Sequence, residues 1–154
     1  MNIKQVQSDE DLRNVRGLIE EYTAWLGADF YFKGIEKELR DLPGEYSPPD
    51  GRLLLALDEG QMAGCIALRR IDPDACELKR LYVRPQFRGR GAGAELVKAI
   101  IEDAQSIGYR RMRLDTLPRR MEQALSVYRK FGFKDIEPYF ANPIEGTLYL
   151  ELAL

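Results

Sequence analysis

The stretch that most constrains this chain is LYVRPQFRGRGAGAELV, Leu81 to Val97, where an apolar strand runs through a basic loop with three glycines into an amphipathic helix. A helix N-terminus leaves its first amide N–H groups without partners and carries about half a positive charge. It therefore attracts anions wherever backbone can come close. Gly89, Gly91 and Gly93 permit that approach, and Arg84, Arg88 and Arg90 add charge around the same turn. The segment reads as a cradle for phosphate, and a strand-loop-helix of this kind must be followed by a further strand to pack against.

Periodicity supplies that strand and the rest of the frame. Arg111 to Thr116 alternates with Met112 and Leu114 on one side, so strand, helix and strand predict a parallel, right-handed crossover. The helix between them carries Leu96, Val97, Ile100, Ile101, Ala104 and Ile107 on one face and stops at Gly108. Upstream, Arg52–Leu57, Met62–Arg69 and Cys76–Val83 form a meander through turns at Asp58-Glu59-Gly60 and Asp72-Pro73-Asp74. Ile3–Val6 reads as a first strand. Ser8 with Asp9, Glu10 and Asp11 caps a helix whose Leu12, Val15, Ile19, Tyr22 and Leu26 recur at helical spacing as far as Gly27. A shorter helix around Ile35, Leu39 and Leu42 stops at Pro43-Gly44. A last helix spans about Arg119 to Phe131, and Phe133–Ile136 and Thr147–Leu152 close the sheet.

At 154 residues one domain, 1–154, is the expectation, with a single core. A net charge of −2 weighs against nucleic-acid binding, because the arginines are concentrated locally without a basic excess overall. No apolar run approaches about 20 residues and the N-terminus lacks a basic-then-apolar leader, so no membrane partner and a cytoplasmic location are expected. The absence of histidine removes Ser-His-Asp and Cys-His catalysis and the usual histidine metal sites; no metal is expected. Acid and base must come from Asp, Glu, Tyr, Cys, Lys or water. Cys65 and Cys76 fall on the two arms of one hairpin. With Arg70 opposite Ala75, Cys65 stands opposite Arg80, roughly 13 Å from Cys76, too far for a disulfide. Trp25, Phe30, Tyr31, Phe32 and Tyr46 cluster between and after the first two helices, as the lining of a pocket or as a cover for the core.

Two phosphate-binding motifs fail against the loop. A nucleotide P-loop needs Lys-Ser or Lys-Thr after its last glycine, where Ala94-Glu95 stands. The dinucleotide pattern fits formally as Gly89-x-Gly91-x-x-Ala94 with Asp115 beyond, but five residues, Arg84 to Arg88, separate strand from glycines and a meander precedes them. The motif Val83-Arg84-Pro85 followed by Arg88-Gly89-Arg90-Gly91-Ala92-Gly93, with Ala124, Tyr128 and Gly132-Phe133 further on, resembles the GNAT family of N-acetyltransferases. The resemblance covers Met62 to Phe133 in motif and the whole chain in element order.

That resemblance implies an α/β (α+β) GNAT fold: a mixed, mostly antiparallel sheet of six to seven strands with about four helices, strands four and five parallel and splayed. It implies acetyl-coenzyme A as donor, with the amides of Arg88, Gly89, Arg90, Gly91, Ala92 and Gly93 on its pyrophosphate and Leu81, Tyr82 and Val83 along its pantetheine arm. The oxyanion donor is a main-chain N–H around Leu81 or Tyr82. Glu77 takes the place of a glutamate that accepts the amine proton, often through water, and Tyr128 that of a tyrosine protonating the thiolate. The acceptor site implied by the fold includes Trp25, Phe30, Tyr31, Phe32, Tyr139 and Asn142, for a small-molecule amine or amino acid whose carboxylate Arg69, Arg70 or Arg80 can hold. A protein N-terminus or lysine as acceptor, a longer acyl group, a non-catalytic coenzyme sensor and a homodimer stay open. One departure is Met121, where many members carry asparagine.

Overall fold

The computed structural model describes residues 1–27, 34–141 and 144–154. Among these, seven strands form one sheet: β1 (Asn2–Gln5), β2 (Arg52–Asp58), β3 (Gln61–Arg70), β4 (Ala75–Val83), β5 (Arg111–Thr116), β6 (Lys134–Asp135) and β7 (Leu148–Ala153). Their spatial order is β1-β2-β3-β4-β5-β7-β6, antiparallel except for β4 beside β5. The helices are α1 (Asp9–Leu26), α2 (Ile35–Asp41), α3 (Ala92–Ile107) and α4 (Glu122–Lys130).

Strand alternation divides the core in two. Leu54, Ile66, Leu68, Cys76, Leu78, Met112 and Leu114 face α3 and α4, while Leu53, Leu55, Cys65 and Ala67 face α1 and α2. α1 starts where the sequence placed it. Ser8 accepts from the Asp11 N–H at 3.0 Å, and the Asp11 carboxylate returns to the Ser8 N–H at 3.3 Å in a reciprocal cap.

Two features open a site in the middle of this sheet. Parallel pairing of β4 with β5 covers only Ala75↔Arg111, Cys76↔Met112 and Glu77↔Arg113, and beyond Glu77 the strands diverge. β4 then carries a bulge. Ala67 faces Lys79 and Cys65 faces Tyr82, so three steps along β4 oppose two along β3, with Arg80 at φ 60°. The bulge turns the outer part of β4 away from β5.

The hairpin register differs by one from expectation. Arg70 faces Cys76 because the turn takes one residue more than expected: Ala75 is drawn into it by the Asp72 carboxylate, which accepts the N–H groups of Asp74 and Ala75 at 2.8 Å each. Cys65 faces Tyr82, not Arg80. Both cysteines are free and buried, on opposite faces of the sheet, and burial pushes both thiols up to about 12. The last helix begins at Glu122, three residues later than its pattern indicated, and the strand expected at Phe133–Ile136 contracts to two residues.

Candidate active site

The cradle folds as the glycines require. A 3₁₀ turn at Pro85–Phe87 leads to Gly89 and Gly91, both with left-handed φ, 78° and 83°. Gly91 caps α3 with no side-chain hydrogen bond, and the first bond inside the helix runs from the Glu95 N–H to the Gly91 carbonyl at 3.0 Å. The amides of Ala92, Gly93 and Ala94 therefore precede the helix's own ladder and face outward as donors. They open onto a cleft of about 720 Å³, bounded on one side by Leu81–Val83 and the loop and on the other by the start and one face of α4. These groups fit acetyl-coenzyme A: outward amides for phosphate, a strand edge left by the splay for an amide-bearing arm, and a cleft of ligand size.

The three loop arginines separate. Arg84 leaves the site to pair with Glu21 on α1 at 2.6 Å. Arg90, expected to contact the coenzyme, turns its side chain onto Asp58 at 3.3 Å and over the Phe87 ring, so only its backbone stays at the cradle. Arg88 remains in the cleft. Its Nε–H donates to the Val83 carbonyl at 2.9 Å, and its guanidinium lies 5.1 Å from the Trp25 ring. Arg120 packs on that ring too, at 5.2 Å, and donates to the Trp25 carbonyl, so the indole contacts guanidinium groups from both walls. Trp25, expected on the acceptor side, thus lines the cleft of the glycine loop. Arg119, Arg120 and Lys130 are cleft cations that the sequence reading missed; the basic pair immediately before the last helix was the available signal. Met121, in the place of the usual asparagine, also lines the cleft and accepts from Thr116 Oγ1 at 3.5 Å through its sulphur.

Glu77 stands at the last paired position before the splay, on the α1/α2 side, and is 1% exposed. Its Oε1 accepts from Arg69 Nε at 2.7 Å and lies 3.5 Å from Lys79 Nζ, while Oε2 accepts from the Tyr139 hydroxyl at 2.6 Å. Burial pushes this carboxyl up. The Lys79 ammonium, the Tyr139 hydroxyl and the Arg69 guanidinium outweigh it and hold the group below the ordinary 4.5. Tyr139 is therefore brought directly onto Glu77, and its ring packs edge-on against Phe140 and Tyr149.

Tyr128 comes from α4 on the other face and is buried against Phe133, ring centroids 5.6 Å apart. Burial raises its pKa well above the ordinary tyrosine value, with smaller contributions from Tyr22 and Asp115, groups that belong to the α1/α2 side. Phe30, Tyr31, Phe32 and Asn142 lie outside the described residues. Among the described residues no group of three or more Asp, Glu or Cys side chains is placed to hold a metal ion, and no helix is long and apolar enough to cross a membrane.

Comparison with known proteins agrees with this geometry. The model of the acetyltransferase (GNAT) family matches residues 19–133. An uncharacterized N-acetyltransferase of Schizosaccharomyces pombe is 40% identical over all of this chain and 95% of its own length. Among solved structures, an acetyltransferase from Streptococcus agalactiae superposes with a TM-score of 0.81 at 22% identity, covering 99% of this chain and 98% of that one. The PaiA N-acetyltransferase of Thermoplasma acidophilum, in complex with coenzyme A, superposes with a TM-score of 0.75 at 23% identity over the full length of both. On the match along residues 19–133 and the relative 40% identical from end to end, the chain belongs to the GNAT family and is an acetyl-coenzyme A-dependent N-acetyltransferase.

Proposed function

We propose that this enzyme acetylates the primary amine of a small molecule or amino acid in the cytoplasm, by direct attack of the amine on the thioester with both substrates bound. The splay carries this reading. Pairing of β4 with β5 ends at Glu77, which holds Tyr139 on the α1/α2 side. The electrostatic influence of Tyr22 and Asp115 on the buried Tyr128 of α4 supports a hydroxyl directed at the same gap from the other side, although none of Glu77, Tyr139 and Tyr128 lines the cleft of the glycine loop. Donor and acceptor then approach from opposite sides of the sheet.

In this reading the amides from Arg88 to Gly93 hold the pyrophosphate, and the free edge of Leu81–Val83 aligns the pantetheine arm. The oxyanion donor is the Leu81 N–H. The Arg80 carbonyl accepts from Cys65 Sγ at 3.4 Å, on the α1/α2 face, and the N–H of a trans peptide points opposite to its carbonyl, which supports this N–H being directed toward the other face, where Leu81 lines the cleft. Glu77 remains ionised at neutral pH and draws the amine proton through Tyr139 or water. The group is 1% exposed and both its oxygens already accept hydrogen bonds, which favours such a relay over direct abstraction. Tyr128 stays protonated at every working pH. Donation from so weak an acid becomes feasible because the thiolate forms in the same dry gap, where burial pushes its pKa up as well.

Thiol release from acetyl-coenzyme A, followed with a panel of amines, tests this. Tyr128→Phe is expected to lower kcat about 10²-fold, the lower range for acid catalysis, while coenzyme affinity by calorimetry changes little. A near-normal kcat would assign the proton to water. Coenzyme binding without thiol release from any amine would favour a sensor.

A further inference from the structure

We propose that Lys79 anchors an acidic group of the acceptor, so that the acceptor is an amine that also carries a carboxylate, such as an amino acid. This rests on the acetyl-transfer reading above and adds the acceptor's class.

Lys79 lies two residues beyond Glu77 on β4, on the same face by strand alternation and at the start of the bulge. Of the arginines expected to hold an acceptor carboxylate, Arg69 and Arg80 are occupied and Arg70 is exposed to water. Arg69 pairs with Glu77 at 2.7 Å and with Glu45 at 3.1 Å. Arg80 makes two bonds of 2.8 Å to Glu38 of α2, and Arg70 lies 3.8 Å from Asp50. On β5, Arg113 pairs with Glu151 at 2.8 Å.

Lys79 is different. Its ion pair, at 3.5 Å, is to the Glu77 oxygen that already accepts from Arg69, and the other Glu77 oxygen is taken by Tyr139. An ammonium offers three N–H donors, and the described residues give this one a single long contact. Its side chain is only 18% exposed, so water compensates little, and an incoming anion gains more there than at the surface. Burial and the neighbouring Arg80 and Arg69 disfavour its charge; Glu77 and Asp115 offset only part of this. An acceptor carboxylate would supply what is missing, while Glu77 and Asp115 favour the ammonium end of the same molecule. The amine is then oriented by its own carboxylate, which supplies positioning as well as affinity.

The test compares amine pairs that differ in one group: α- and ω-amino acids against their carboxamides, as acceptors for parent, Lys79→Met and Lys79→Arg. The parent is expected to favour the best carboxylate acceptor over its amide at least tenfold in kcat/KM, mainly through KM. Lys79→Met should bring that ratio close to one and Lys79→Arg should restore part of it, with calorimetric coenzyme binding confirming that each variant is folded. A parent without this preference, or a preference that survives in Lys79→Met, overturns the proposal. If no amine releases thiol, the acetyl-transfer reading fails separately. The same pairs are then compared by calorimetry on coenzyme-bound protein, where a carboxylate preference that Lys79→Met removes supports the anchor and equal binding overturns it.

Discussion

At the scale of single residues, the site depends on backbone that only certain side chains permit. Gly64 on β3 faces Val83, and a Cβ built on it would sit 2.3 Å from the Tyr82 carbonyl oxygen and 3.2 Å from Val83 Cα. Both are backbone atoms of the strand that lines the cleft, so neither can swing aside. Gly64→Ala should cost about 1–3 kcal/mol, the range for forced overpacking, read as a lower denaturant midpoint at unchanged slope. Coenzyme affinity should fall with it, since β3 and β4 must separate. Arg80 is the complementary case. A non-glycine residue at φ 60° is strained, and the two bonds from its guanidinium to Glu38 help hold that conformation while fastening α2 to the bulge.

At the scale of elements, the cradle's chemistry resides in how α3 begins. A Cβ at Gly91 meets nothing within 4 Å, so a substitution there costs through its φ of 83° and through the space a phosphate needs. Gly91→Val should weaken coenzyme binding tenfold or more by calorimetry, about 1.4 kcal/mol, and leave the domain folded. The cradle and the crossover were legible in the sequence because glycine, arginine and helical periodicity are local signals. The hairpin register was not. It depends on Asp72 drawing Ala75 into the turn and on a bulge at Arg80, and nothing in the alternation of Ala75 to Val83 marks an extra residue. Arg84 and Arg90 read as cradle charges for the same reason: Glu21 and Asp58 lie 63 and 32 residues away in sequence and draw them off only once the chain has folded. Glu77 was legible as a position, six residues before Val83, but its contacts with Arg69 and Tyr139 required the sheet.

At the scale of the whole molecule, ion pairs largely shielded from water tie elements together on the α1/α2 side of the sheet. Glu38 binds α2 to β4, and Glu77 binds β3 and β4 to the segment carrying Tyr139. Burial pushes both carboxyls up, and their partners more than reverse this, Arg80 and Tyr46 for Glu38 and Lys79, Tyr139 and Arg69 for Glu77. Because the folded values lie below the ordinary 4.5, the unfolded chain takes up protons first as pH falls. Their contribution is complete above about 4.5 and is lost as pH drops through the lower folded values. The thermal midpoint should therefore hold from pH 7 to about 5 and decline steeply beneath 4.5, with Glu38→Gln giving a lower but flatter profile by scanning calorimetry. Finally, the chain has one tryptophan, and that indole contacts both Arg88 and Arg120, one cation from each of the cleft's two walls. Its emission is thus a reading of the cleft alone. When an anionic ligand redirects either guanidinium, the electric field across the ring changes, and the spectrum shifts without any dye or label.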